Sequence, residues 1–178
     1  MKKRLPRIPP RVYAPAVILG LIAFFWLLSP RPGAGPAAGS RAPAFRLIDL
    51  SGRTADLAEY HGKVVLLDFW ATWCGDCEAE TPALKSLHEK YQGRGFALLG
   101  ASVDEGPPEA VARFVAEHRL SYRIVFADEE AVQDYRIFGL PTKFLIDAEG
   151  VIYRKYLTDT PATELEADII ALLKRRDS

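Results

Sequence analysis

The chain has 178 residues and equal numbers of basic (23) and acidic (23) side chains, but the two signs are segregated. The first 41 residues contain no acid, whereas those from Ala42 onward hold 16 basic and 23 acidic groups, a net charge of −7. This balance excludes the basic footprint of a nucleic-acid-binding domain, and two cysteines are too few for a multi-bridge disulfide scaffold.

Residues 1–11, MKKRLPRIPPR, form a basic segment, and the run from Val12 to Pro30 carries no charge. As a helix that run reaches roughly 28 Å, close to the hydrocarbon thickness of a bilayer. Residues 12–29 therefore read as one transmembrane helix. A cleaved secretory signal is the alternative. Its best small-residue site, Ala37-Ala38-Gly39, lies eleven residues past Leu28, which favours an uncleaved anchor. The cations before the span place the N-terminus in the cytoplasm and the rest of the chain in the periplasm or outside, as in a single-pass protein of the cytoplasmic (inner) membrane. Residues 30–41, rich in Pro, Gly and Ala, read as a linker to a domain over 42–178.

Within that domain, Phe45 to Leu50 and Thr54 to Leu57 flank Ser51-Gly52-Arg53 and predict a hairpin. KVVLLDFW, a continuous apolar run with one acid inside it, predicts a central buried strand ending near Trp70. Leu84, Leu87, His88 and Tyr91 recur at helical spacing until Gly93 and Gly95, and FALLGASV predicts a second buried strand. A helix over Ala110 to His118, a strand over Arg123 to Ala127 and a short helix over Glu129 to Tyr135 follow. KFLIDAEGVIYRKY gives two strands joined at Ala148-Glu149-Gly150, and Pro161 to Arg175 closes the chain as a helix. Strands alternating with helices indicate an α/β sheet covered on both faces.

Both cysteines, Cys74 and Cys77, lie in FWATWCGDCEAETP. Haem attachment needs histidine after the second cysteine, where Glu78 stands. Structural zinc needs two further ligands, yet His61, His88 and His118 are scattered and there is no third cysteine. A peroxidatic cysteine pattern does not fit, and a copper carrier lacks a methionine ligand, Met1 being the only Met. Dithiol–disulfide exchange remains. Cys74 falls where a strand gives way to a helix, so the unpaired N–H groups of the first turn favour its thiolate. Cys77, one turn later on the same face, can resolve a mixed disulfide.

FWATWCGDC followed by GLPTKFLIDAEG resembles the thioredoxin superfamily, and within it the membrane-anchored TlpA/ResA-like thiol:disulfide oxidoreductases with a redoxin, AhpC/TSA-like domain. The likeness spans about Ala42 to Arg175. It implies a thioredoxin-like fold: a central mixed sheet flanked by helices, with an N-terminal β-hairpin and an αβ insertion. It implies that Cys74 attacks, that Cys77 resolves, and that Pro141 is cis and lies against the disulfide. It also implies that Trp70, Trp73, Gly75, Asp76, Leu140 and Thr142 frame a docking surface. Pro82 matches the proline that follows the motif, and Glu80 a glutamate that assists the proton step; read alone, Glu80 is equally an exposed helical acid.

Asp68 interrupts an apolar strand six residues before Cys74, where the resemblance implies a buried acid exchanging protons with the resolving thiol. Burial should raise its pKa towards neutrality, as that transfer requires. Asp76 stands where these families usually have proline; a negative charge beside the sulfurs opposes thiolate formation and makes the disulfide less oxidising. The expectation is therefore a reductase with no metal and no cofactor beyond the Cys74–Cys77 disulfide. Its partners would be an exported disulfide-containing client, such as an apocytochrome c or a copper-site protein, and a thiol electron donor in the inner membrane. The alternatives are a thiol oxidase, a peroxide-handling redoxin, or a redox-inactive binding module.

Overall fold

The computed structural model describes Leu19, residues 35–158 and residues 160–177. No helix among the described residues is long and apolar enough to cross a membrane. The segment read as membrane-spanning, residues 12–29, lies outside the described residues except for Leu19, as do the basic segment 1–11 and the start of the linker.

The elements run β1 (Arg46–Asp49), β2 (Thr54–Asp56), β3 (Val64–Trp70), α1 (Gly75–Tyr91), β4 (Phe96–Ser102), α2 (Glu109–His118), β5 (Arg123–Phe126), α3 (Glu129–Asp134), β6 (Thr142–Ile146), β7 (Ile152–Tyr156) and α4 (Ala162–Arg176). Seven strands form one sheet in the order β2-β1-β5-β4-β3-β6-β7. β3, β4 and β5 are parallel; β6, β7 and the β1–β2 hairpin are antiparallel to their neighbours. The αβ insertion thus does more than decorate the fold, because β5 is the strand that joins the hairpin to the central sheet.

β3 is buried along its whole length, so both of its faces carry apolar side chains. Val64, Leu66 and Trp70 pack with Leu84 and Leu87 of α1, Phe114 of α2 and Ile169 of α4. Val65, Leu67 and Phe69 turn the other way, towards Phe45, Phe144 and Tyr135. The two-residue period of the strand places Asp68 on the first of these faces, under α1. In register beside it on β4 is Gly100, where a Cβ would stand 2.7 Å from Ile124 Cδ1 and 2.9 Å from Trp70 Nε1. Only glycine leaves room there for those side chains to close over the sheet.

The hairpin is pinned by a buried carboxylate that its sequence did not advertise. Asp49 Oδ1 accepts from the Ser51 amide (2.9 Å) and the Arg53 amide (3.0 Å), and Oδ2 accepts from Arg123 Nε of β5 (2.9 Å). Burial alone would raise its pKa, but these hydrogen bonds, with that from the Ser51 hydroxyl, outweigh burial and hold it well below the usual carboxylate range.

The chain is hydrogen-bonded to the domain before Ala42. The Gly39 amide donates to the Ile152 carbonyl (2.8 Å), the Ile152 amide to Ser40 (2.9 Å), and Arg41 forms a β-bridge with Val151. This covers part of the outer side of the edge strand β7, where exposed backbone groups would otherwise invite pairing with another chain.

Candidate active site

β3 ends at Trp70 and α1 begins at Gly75, so the CxxC sits where a buried strand hands over to a helix. The intervening loop is held from across the sheet: Asp104, two residues past β4, accepts from the Thr72 amide (3.0 Å) and hydroxyl and from the Ser102 hydroxyl (2.8 Å). The Val103 amide donates to the Trp70 carbonyl at 2.9 Å. These bonds fix the approach to the motif, and those to Thr72 come from Asp104, a residue 32 positions away that sequence reasoning did not single out.

Cys74 is the N-cap of α1, with an extended backbone, and its Sγ accepts from the Cys77 amide at 3.2 Å. It is joined to Cys77 in a disulfide whose Cα atoms are 5.2 Å apart. The first-turn amides that receive Sγ are the groups that stabilise a sulfur anion when the bond is reduced. The Thr81 hydroxyl donates to the Cys77 carbonyl (3.0 Å), and Pro82 follows inside the helix at an exposed position. No group of three or more His, Cys, Asp or Glu side chains able to hold a metal occurs among the described residues.

The disulfide borders a groove of about 530 Å³ whose walls include Trp73, Val103, Ile137, Phe138 and Leu140, with Gly75 and Asp76 at its rim. Trp73 is 71% exposed and Phe138 82%, an unusual exposure for two large aromatic side chains beside one reactive centre. Phe138 was not singled out from the sequence, although an aromatic residue just before GLPT was a visible signal. The Leu140–Pro141 peptide bond is cis, the conformation that the resemblance implies, and Pro141 is buried.

Two residues expected at the docking surface are not there. Trp70 is 3% exposed and packs on Phe114 with ring centroids 4.8 Å apart, because its place in β3 turns it into the core beneath α1 and α2. Thr142 is 1% exposed; as the first residue of β6 it is paired with Phe69, and its hydroxyl donates back to the Gly139 carbonyl (2.7 Å). Gly75 and Asp76 are exposed, and Leu140 is half-buried.

Beneath the motif lies a charged group. Asp68 is 3% exposed and its Oδ1 has no hydrogen-bond partner among the described residues. Burial is the main cause that raises its pKa to about 7, with Lys143 opposing the shift and Glu80 adding to it. Lys143, 2% exposed, is the cross-strand partner of Asp68 on β6, and its ammonium is paired with Glu80 of α1, three residues after Cys77. The structure therefore sets Lys143, ion-paired with Glu80, beside Asp68, and this lysine was not singled out from the sequence. Its signal was a cation inside the apolar run TKFLI.

Comparison with known proteins agrees with this geometry. Residues 38–155 match the model of the AhpC/TSA family. The thiol-disulfide oxidoreductase ResA of Geobacillus thermodenitrificans is 41% identical over 129 residues, 72% of this chain and 73% of that protein. The ResA of Bacillus subtilis is 32% identical over 137 residues, 76% of this chain and 75% of that one. Among solved structures, the thioredoxin domain of a thiol-disulfide oxidoreductase from Bacteroides vulgatus superposes with a TM-score of 0.70 at 31% identity, covering 77% of this chain and 98% of that one. With a CxxC disulfide capping a helix on a thioredoxin-like mixed sheet, the chain belongs to the AhpC/TSA family of the thioredoxin superfamily, as a ResA-like thiol:disulfide oxidoreductase.

Proposed function

We propose that this oxidoreductase is a membrane-anchored reductase of disulfides in exported proteins, with residues 12–29 as its anchor and the domain facing the periplasm or outer surface. The observation that carries the reading is the Cys74–Cys77 disulfide at the edge of an apolar, aromatic-rimmed groove, with the exposed carboxylate of Asp76 between the two sulfurs in sequence. The groove suits an extended segment of a client polypeptide rather than a small polar substrate. Asp76 supports the direction, because a negative charge there disfavours the Cys74 thiolate and so makes the disulfide less oxidising.

In the first step the Cys74 thiolate attacks one sulfur of the client disulfide, forming a mixed disulfide and releasing the second client sulfur as a thiolate. Cys77 then attacks Cys74 Sγ. The client leaves as a dithiol, two electrons richer, and the protein carries the Cys74–Cys77 disulfide. In this reading the two sulfurs are the whole redox centre, and an inner-membrane thiol donor returns the pair to the reduced state. Apocytochromes c awaiting haem, or copper-site proteins of respiratory oxidases, are the client classes that the resemblance implies.

The test of direction is the reduction potential of the full chain, equilibrated against defined thiol–disulfide buffers. A value near about −270 mV, that of thioredoxin, is expected; one near about −120 mV, that of a strong periplasmic oxidant, overturns the reductase reading.

A further inference from the structure

We propose that Lys143 is a positioning residue of the exchange reaction: ion-paired with Glu80 and in register beside Asp68, it acts by its charge on Asp68 when Cys77 resolves the mixed disulfide. The inference rests on the reading of Asp68 as proton acceptor for Cys77 and goes beyond it by naming what governs that acceptor.

An ammonium buried in a β-strand costs several kcal/mol unless it is paired, so its position calls for an explanation. Lys143 is 2% exposed, yet a lysine needed only to neutralise Glu80 could do so from the surface, since Glu80 retains 22% exposure. Instead it sits in the middle of the sheet, directly across from Asp68 on β3. Glu80 reaches it from α1, so one cation spans the gap between strand and helix.

The other groups around this centre are few. Tyr122, just before β5, feels the charge of Asp68, and its own ionisation is pushed far up, by burial first and Asp68 second. From β4, Gly100 contributes no side chain. On β7, Tyr156 is in register with Lys143 but donates to Asp168 of α4 (2.7 Å), which Arg154 also contacts at 3.0 Å. Lys143 and Glu80 are thus the two charges that act on Asp68, with opposite signs: Lys143 favours its carboxylate and Glu80 disfavours it.

In the resolving step the Cys77 thiol gives its proton to Asp68 and its sulfur bonds to Cys74 Sγ. The bond between Cys74 and the client sulfur breaks, and the electron pair leaves on the client thiolate, which takes a proton from water. Lys143 acts only through Asp68.

The experiment follows the reduced full chain mixed with dithiobis(nitrobenzoate). Attack by Cys74 releases one thionitrobenzoate and resolution by Cys77 a second, so the pH profile of the second phase reports Asp68. Lys143→Met is expected to move the acid limb of that profile to higher pH and to slow the phase roughly tenfold at neutral pH, the effect of one pKa unit. Lys143→Arg, which keeps the charge, restores the limb, and Glu80→Gln moves it to lower pH. Asp68→Asn serves as the reference. If the limb survives in Asp68→Asn, the underlying reading of Asp68 fails. If Asp68→Asn abolishes it but Lys143→Met leaves it in place, the role of Lys143 is overturned while that of Asp68 stands; where Lys143→Met does not fold, an unmoved limb in Glu80→Gln overturns the coupling of the Lys143–Glu80 pair to Asp68.

Discussion

Asp68 of β3 and Lys143 of β6 stand opposite each other in register at the centre of the sheet, an acid and a base each no more than 3% exposed. This pair has a thermodynamic consequence that is separate from any catalytic role. With its pKa raised from 3.8 to about 7, chiefly by burial, Asp68 holds a proton in the folded chain that it loses when unfolded. Below 3.8 both states are protonated and the residue costs nothing. Between 3.8 and 7 stability falls as pH rises, and above 7 the cost is constant.

Asp68→Asn should therefore stabilise the oxidised protein, by an amount that grows through this window and levels off at on the order of 4 kcal/mol. Denaturant unfolding of wild type and variant below and above the window checks it. A difference that does not change with pH would mean that the carboxyl is solvated.

The loop before Cys74 depends on Asp104, which accepts two hydrogen bonds from Thr72 and one from Ser102. Asp104→Ala leaves those donors without their acceptor and should cost about 2 kcal/mol. It should also slow attack by Cys74, since the loop that presents the sulfur is no longer held. Thermal unfolding and the first phase of the nitrobenzoate reaction read the two effects separately; retention of both rates and stability would show that the loop is fixed by other contacts.

The aromatic pair Trp73 and Phe138 predicts a split in kinetics. Phe138→Ser and Trp73→Ala should raise KM for a protein client roughly tenfold, the loss of an interface side chain worth more than about 1 kcal/mol, while turnover of a small disulfide barely changes. Trp70→Ala makes the contrast: as a core residue against Phe114 it should lose about 3–5 kcal/mol of stability. Equal effects on both substrates in Phe138→Ser would remove the groove from client recognition.

What could be read from sequence here is whatever a local pattern encodes. The two-residue spacing of Cys74 and Cys77, the apolar runs of β3 and β4, the helical repeat of Leu84, Leu87 and Tyr91, and an acid inside VVLLDFW each sit within a few neighbours in the chain. Burial of Asp68 was legible for that reason. Tertiary structure decided what depends on strand order and register. It chose the sheet face of Trp70, which became core rather than docking surface, and brought Asp104 to Thr72 across 32 residues. It also set Lys143 against Asp68 and Glu80. A slip of one residue between β3 and β6 would turn Lys143 to the opposite face and dissolve that group, and no pattern within either strand alone determines the register between them.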